Sequence, residues 1–599
     1  MMKRDLSGAG LLLLALAIGV LLSGLGAGLL AGRAAAATDA YQVDIVGTDD
    51  AALSRAIHDA ADLYRRRREP LLSLAQLQGR ARSDQAKIEG ILRGLGYYDG
   101  TVKIEIDEAG HHVTIRLHPG PVYRITAYRV VEAGGGAARI AIDRKALGVP
   151  AGTAASGAIV VEAERRILQA YFDAGYPLAK ASDRRVVIDH ATRSASVTET
   201  IAPGPQARIG AIAVTGLKGV EEAFVRGRLH LAPGQLFTRA AIEKARTNLV
   251  GTNLFSAVKL SWPDHAAPDG TLPLTVALTE RRFHSFGGGL SYSTDLGPTA
   301  RAFWEDRNLF GSGELLRFEG RFGQTDRSLT ATFRKPDWLS IDQTLNANLA
   351  LLDQDFPAYR LDSARGGFGI ERPLFEDWIG GVGLSLEKDI TKERDARFNQ
   401  LLLGVPLTLS RDTSDDPLDP KHGMRLTLSA TPYASLGEGP SFLTLRARDT
   451  LYQSLSEDGH WILAGWVGLG SVVGPQRDQL PRSQHLFAGG GGSVRGYAYQ
   501  FAGPVDRHDD PIGGMSLVEA GTELRIRITD TIGVVPFIEA ASVGKTSAPT
   551  LSDIFVGAGV GLRYYSSIGP IRLDVATPIS PRRSVDAPVQ IYVSIGQAF

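Results

Sequence analysis

The chain has 599 residues, 65 basic and 65 acidic side chains, 69 glycines and no cysteine. Zero formal charge lacks the basic surplus of a nucleic-acid binder, so no nucleic-acid partner is expected. The missing thiols exclude cysteine nucleophiles, disulfides, and thiolate-held zinc or iron–sulfur cofactors, and 44% hydrophobic residues exclude overall disorder.

Lys3 and Arg4 precede an apolar stretch from Leu11 to Leu30, and Ala35-Ala36-Ala37 follows as a small-residue cleavage site. This order predicts a secretory signal peptide over residues 1–37, with an uncleaved anchor as the alternative. No comparable apolar run recurs after Thr38, so a mature chain that enters a membrane must do so as a β-barrel.

From Tyr41 to about Arg282 helical and alternating patterns mix. Leu53, Ile57, Ala60 and Tyr64 predict one helix over Asp50 to Arg68, and Ile88, Ile91, Leu92 and Leu95 predict another. Val102 to Ile106 and Val113 to Leu117 read as a hairpin around Glu108-Ala109-Gly110. The unit recurs. Tyr97, Tyr176 and Phe255 each follow a helix end and are 79 apart, while Pro119-Gly120-Pro121 and Pro203-Gly204-Pro205 are 84 apart. Three small α+β repeats follow, over residues 38–120, 121–204 and 205–282.

From Phe283 the helical period disappears. Sixteen alternating runs are predicted, starting near His284, Arg301, Glu314, Ser328, Thr344, Ala364, Trp378, Gln400, Met424, Phe442, His460, Met515, Thr531, Ile554, Gly569 and Pro588. Charged residues such as Arg446 and Arg448 lie mid-run on the polar face, which suits a wet lumen and not a dry sandwich core. The expectation is a 16-stranded antiparallel transmembrane β-barrel over residues 283–599, ending on the aromatic Phe599.

The longest connection, about Ser471 to Gly514, carries Gly489-Gly490-Gly491-Gly492-Ser493-Val494-Arg495-Gly496-Tyr497. Its glycines allow a tight path from which one cation, Arg495, projects. The Walker spacing is absent. An arginine folded into a barrel needs a partner, and Glu539 is the candidate. Glu539 shares a face with Val535 and Phe537, so alternation alone leaves its inward aim open. Gly287-Gly288-Gly289 in the first run would weaken packing where that run meets the last; a simple bend at the barrel mouth is the alternative. Arg65 to Arg68 read as a solvated face. Asp412, Asp415, Asp416 and Asp419 read as a turn, and His111 and His112 lack a ligand set. No nucleophile elbow, zinc helix or triad is present, so neither an enzyme nor a cofactor is expected.

The repeats, Val494-Arg495-Gly496-Tyr497, the Gly533 to Gly544 strand, Gly569-Pro570-Ile571-Arg572-Leu573-Asp574 and the ending Ile595-Gly596-Gln597-Ala598-Phe599 together resemble the bacterial POTRA-plus-barrel outer-membrane assembly family, in its TamA branch. The resemblance implies that Arg495 contacts an acidic residue on the thirteenth strand, a role falling on Glu539 where many relatives carry aspartate. It implies periplasmic POTRA domains that receive unfolded outer-membrane protein clients, autotransporters among them. It also implies a TamB-like periplasm-spanning inner-membrane partner, contact with outer-membrane lipids, and a barrel strained between its first and last strands. The seam candidates are Gly287, Gly288, Gly289, Ile591, Val593, Ile595, Gly596 and Phe599. Two rival functions remain: a two-partner secretion translocator, and a passive porin with a periplasmic binding module.

Overall fold

The structure is a computed structural model describing residues 41–69, 73–107, 112–417, 419–566 and 569–595. The expected leader, the hairpin tip at Glu108 to Gly110, and the seam candidates Gly596 and Phe599 lie outside the described residues.

Three small α+β units lead the chain. The first has strands Gln42–Val46, Thr101–Ile106 and His112–His118 with helices Ala51–Ala60, Asp62–Arg65 and Leu74–Gly94. The second has strands Arg124–Glu132, Lys180–Asp189 and Ser194–Ala202 with helix Gly157–Asp173. The third has strands Arg208–Thr215, Phe255–Ser261 and Thr271–Glu280 with helices Glu222–Leu229 and Arg239–Gly251. In each sheet the last strand is central, parallel to the first and antiparallel to the second. Alternation puts one face of that strand under the helices. Val113, Ile115 and Leu117 pack with Leu53, Ile57, Ile88 and Leu92. Ala195, Val197 and Ile201 pack with Val160, Ala163 and Ile167. Each such Val, Leu or Ile burial contributes roughly 1.5–3 kcal/mol, and the alanines less.

The helix expected over Asp50 to Arg68 is instead two. Asp50 caps the first, accepting from the Ala52 and Leu53 amides at 2.8 and 3.2 Å. The chain then leaves helical geometry at Ala61 (φ −75°, ψ 127°). The Leu63 amide donates to the buried Asp84 carboxylate at 2.7 Å, a tertiary bond that local periodicity does not contain. The helix ends recur as expected. Gly96, Gly175 and Asn253 take left-handed φ values of 98°, 89° and 59°, closing three helices in the same way.

The units are joined by matching peptide bonds. The Tyr123 amide donates to the Gly96 carbonyl, and the Ala207 amide to the Gly175 carbonyl, both at 2.9 Å. The Tyr123 hydroxyl also donates to Asp99 at 2.7 Å. Phe172 of the second unit stacks on Phe237 of the third. The third unit rests on two turns of the barrel. The Glu221 amide donates to the Gly311 carbonyl at 2.7 Å, and Arg228 forks onto Asp337 and Asp342 at 2.8 and 3.0 Å.

Residues 284–595 form a closed antiparallel barrel. Arg397–Gly404 and Leu407–Asp412 share one position in it, each pairing with parts of the same two neighbours, so the wall has sixteen strands. Every expected start lies within four residues of an observed one. The eighth strand breaks at Pro406, which has no N–H for the ladder. Side chains alternate between bilayer and lumen. In the eleventh strand, Trp461–Val473, Leu463 and Val467 face outward while Ile462, Ala464 and Trp466 are buried inside.

Candidate functional site

Residues 474–515 connect the eleventh strand to the twelfth, Ser516–Arg527, and fold back into the lumen. Val494, Arg495 and Tyr497 are only 0%, 2% and 1% exposed. The path needs glycine at two places. Gly496 has φ 107°, and a Cβ there would sit 2.7 Å from the Thr577 carbonyl. On the wall, Gly557 lies directly against the Arg495 carbonyl, and any side chain at 557 would displace it.

Arg495 is the centre of the site. Its amide donates to Glu539 Oε2 at 2.7 Å, and its Nε and Nη2 donate to Oε1 at 2.9 and 2.5 Å. Nη1 reaches Asp574 at 3.2 Å, and Nη2 reaches Glu523 at 3.5 Å. The guanidinium lies 3.4 Å from the centre of the Phe537 ring. Three carboxylates and an aromatic face thus hold one cation away from water, the arrangement in which a charge pair is strongest and its disruption most costly. The network continues along the wall. Arg525 donates to Glu523 at 2.7 Å, Arg572 to Asp574 at 3.2 Å, and Arg563 also binds Asp574.

The face left open by alternation is luminal. Val535, Phe537 and Glu539 are buried inside the thirteenth strand, Ile532–Gly544, while Ile538 faces the bilayer. Sequence reasoning missed Glu523, Phe537, Arg563, Arg572 and Asp574. A signal for two of them was available, since Arg572 and Asp574 alternate onto one face of a segment already singled out.

The loop also touches both sides of the barrel closure. The Tyr499 amide donates to Asp295, just past the first strand, at 2.9 Å. The hydroxyl of Tyr592, in the last strand, donates to the Tyr497 carbonyl at 3.3 Å. Among the described residues, the first strand (His284–Ser293) and the last (Gln590–Ile595) pair at Ser291 with Ser594, Tyr292 with Val593 and Ser293 with Tyr592. Ile591, Val593 and Ile595 pair with Val575, Leu573 and Ile571 of the fifteenth strand. Gly287, Gly288 and Gly289 pair with Phe303, Ala302 and Arg301 of the second strand. Gly287 has a definite packing reason: a Cβ there would lie 2.6 Å from the Phe303 ring, over which Arg317 stacks at 4.0 Å.

The remaining clusters take structural positions. Asp415 accepts from the Lys421 and His422 amides at 2.9 and 3.1 Å, closing the turn between the eighth and ninth strands. His112 lies beside Asp44 at 3.2 Å in the first sheet.

Residues 308–599 match the Omp85 superfamily domain. The outer membrane protein assembly factor BamA of Nitratidesulfovibrio vulgaris is 24% identical over 533 residues, covering 84% of this chain and 65% of the relative. Sorting and assembly machinery component 50 homolog B of Xenopus laevis is 24% identical over 298 residues, covering 47% of this chain and 62% of that protein. The chain spans less than two thirds of the length of these relatives. The crystal structure of Haemophilus ducreyi BamA lacking POTRA domains 1–3 superposes with a TM-score of 0.65 at 19% identity, covering 79% of this chain and 100% of that one. The fold is that of an Omp85-type transmembrane β-barrel preceded by three POTRA-like units.

Proposed function

We propose that this chain, whose barrel carries an Omp85 superfamily domain, inserts or translocates other proteins at the outer membrane. The observation that carries the reading is the loop locked inside the lumen by Arg495 and Glu539. A passive porin keeps a water-filled channel, whereas here the longest loop lies in the lumen and braces the residues beside the barrel closure. The periplasmic sheets supply a way to receive clients. Thr101–Ile106, Lys180–Asp189 and Phe255–Ser261 are each edge strands with one neighbour, and an extended client segment can add to such an edge. The work is done by binding and by straining a seam, with no bond-making chemistry. In the finer form of the proposal, the chain acts as the TamA branch does, with a TamB-like inner-membrane-anchored partner and autotransporters among its clients.

The test is deletion of the gene followed by an inventory of outer-membrane proteins. A subset of barrel proteins or autotransporters should fall, recover with the wild-type chain, and fail to recover with Arg495→Ala. Unchanged levels of every barrel protein would sink the assembly reading. Co-purification of a periplasm-spanning inner-membrane protein tests the partner; its absence under gentle extraction counts against the finer form alone.

A further inference from the structure

The bilayer face of the barrel carries a chemically anomalous group at mid-depth. Asp449 lies mid-way along the tenth strand, Phe442–Ser454. Its alternation partners Leu445 and Leu451 face the bilayer, and its cross-strand neighbour Val467 is half-exposed on the same face. Arg448 and Thr450, on the other face, line the lumen. Asp449 therefore points at lipid.

Its depth follows from the ladder. Val467 is six residues beyond the outward-facing Trp461, which begins the eleventh strand at the periplasmic rim. At about 3.4 Å per residue and a tilt near 40°, that is about 15 Å up a band roughly 25 Å tall. The carboxylate sits near the middle of the bilayer. Its Oδ1 is buried and, among the described residues, has no hydrogen-bond partner. It borders a shallow apolar groove of about 540 Å³, whose bilayer-facing walls include Leu451, Val467, Ala520, Ile538 and Ala540. An ionisable group at this depth is costly and is found where something pairs with it.

We propose that this groove docks a membrane-embedded segment of a different protein, which brings a lysine or arginine to Asp449 at mid-bilayer depth. Charge and depth select this occupant over two others. Lipid ammonium groups lie at the interface, about 15 Å or more from the bilayer centre, and do not reach the carboxylate. A second copy packed through the same face would set Asp449 against Asp449. Of this chain's own bilayer-facing cations, Arg411 lies beside Trp378 at the periplasmic rim, below Asp449, and Lys388 is ten residues beyond Trp378 on the seventh strand. That places it about 26 Å up the wall by the same geometry, near the outer rim, so it misses Asp449 in depth.

The experiment uses the full-length chain in its own outer membrane. A photo-crosslinking residue is placed at Val467, with a control at Leu349 on a distant part of the wall. The expected result is a discrete adduct to another membrane protein from Val467 and none from Leu349. Asp449→Lys should lower that adduct about tenfold, as a charge pair becomes a like-charge contact. Exchanging the basic residue at the mapped contact on the partner for glutamate should then restore it. Only a self-adduct, only lipid adducts, no adduct, an adduct indifferent to Asp449→Lys, or no rescue by the exchange would each overturn the proposal. Folding is monitored independently: purified Asp449→Leu should melt no lower than wild type, since its partner is absent from detergent. A lower melting temperature would mean that Asp449 is satisfied within this chain, which also overturns the docking role.

Discussion

Arg495 is held by position as much as by charge, and the two can be separated. Arg495→Ala leaves Glu523, Glu539 and Asp574 around a missing cation, a loss of about 3–5 kcal/mol for a broken buried pair. The loop should then leave the lumen, and protease should cut within residues 474–515 in barrels that remain folded by heat-modifiable mobility. Arg495→Lys should rescue little, because one ammonium cannot span three carboxylates and stack on Phe537. Gly557→Ala keeps every charge but fills the space of the Arg495 carbonyl, and should expose the same cleavage sites. Intact loops in Gly557→Ala would show that charge alone fixes the site. Arg495 and Glu539 were legible because a glycine-framed cation and a mid-strand carboxylate each stand out locally. Alternation put Asp574 on one face with Arg572, but neither its reach to Arg495 nor that of Glu523 was legible, because alternation gives the face of a strand and not its height or its neighbour across the lumen.

At the level of elements, alternation made the barrel readable, since one face must meet lipid and the other water. Interruptions were hidden. The break at Pro406 keeps the alternating pattern on both sides, and the helix break at Ala61 depends on Asp84, more than twenty residues away. The seam is testable at this scale because the chain has no cysteine of its own. Cysteines at Ser291 and Ser594, directly opposite across the first and last strands, give a single controllable crosslink. Client assembly should stop on oxidation and resume on reduction. Full activity in the crosslinked state would exclude opening at this seam.

For the whole molecule, spacings of 79 and 84 residues announced three repeats, but how they attach to one another and to the barrel depends on tertiary contacts with no sequence period. The loop that meets the barrel at Gly311 is itself held by a titratable group inside the third unit. Glu280 lies outside the membrane; burial works to raise its pKa, but the amides of Lys218, Val220 and Gly219 outweigh it and hold the carboxyl below its ordinary value. A lowered folded-state pKa gives stability that is present above the unfolded value and lost as pH falls through the folded one. Amide exchange over residues 216–221 should therefore be steady in its protection near neutrality and lose protection only below about pH 4.5. Glu280→Gln should flatten that dependence; an unchanged profile would assign it to another group.

The matched bonds from Tyr123 to Gly96 and from Ala207 to Gly175 give the periplasmic arm a mechanical character. Two joints clamped in the same way turn three units into one lever, whose fulcrum is where Glu221 meets Gly311 and Arg228 grips Asp337 and Asp342. A tug at the far tip is then delivered as torque to the turns after the second and fourth strands, close to the first strand and its seam. Force applied to the arm and strain in the wall would then be two readings of one load.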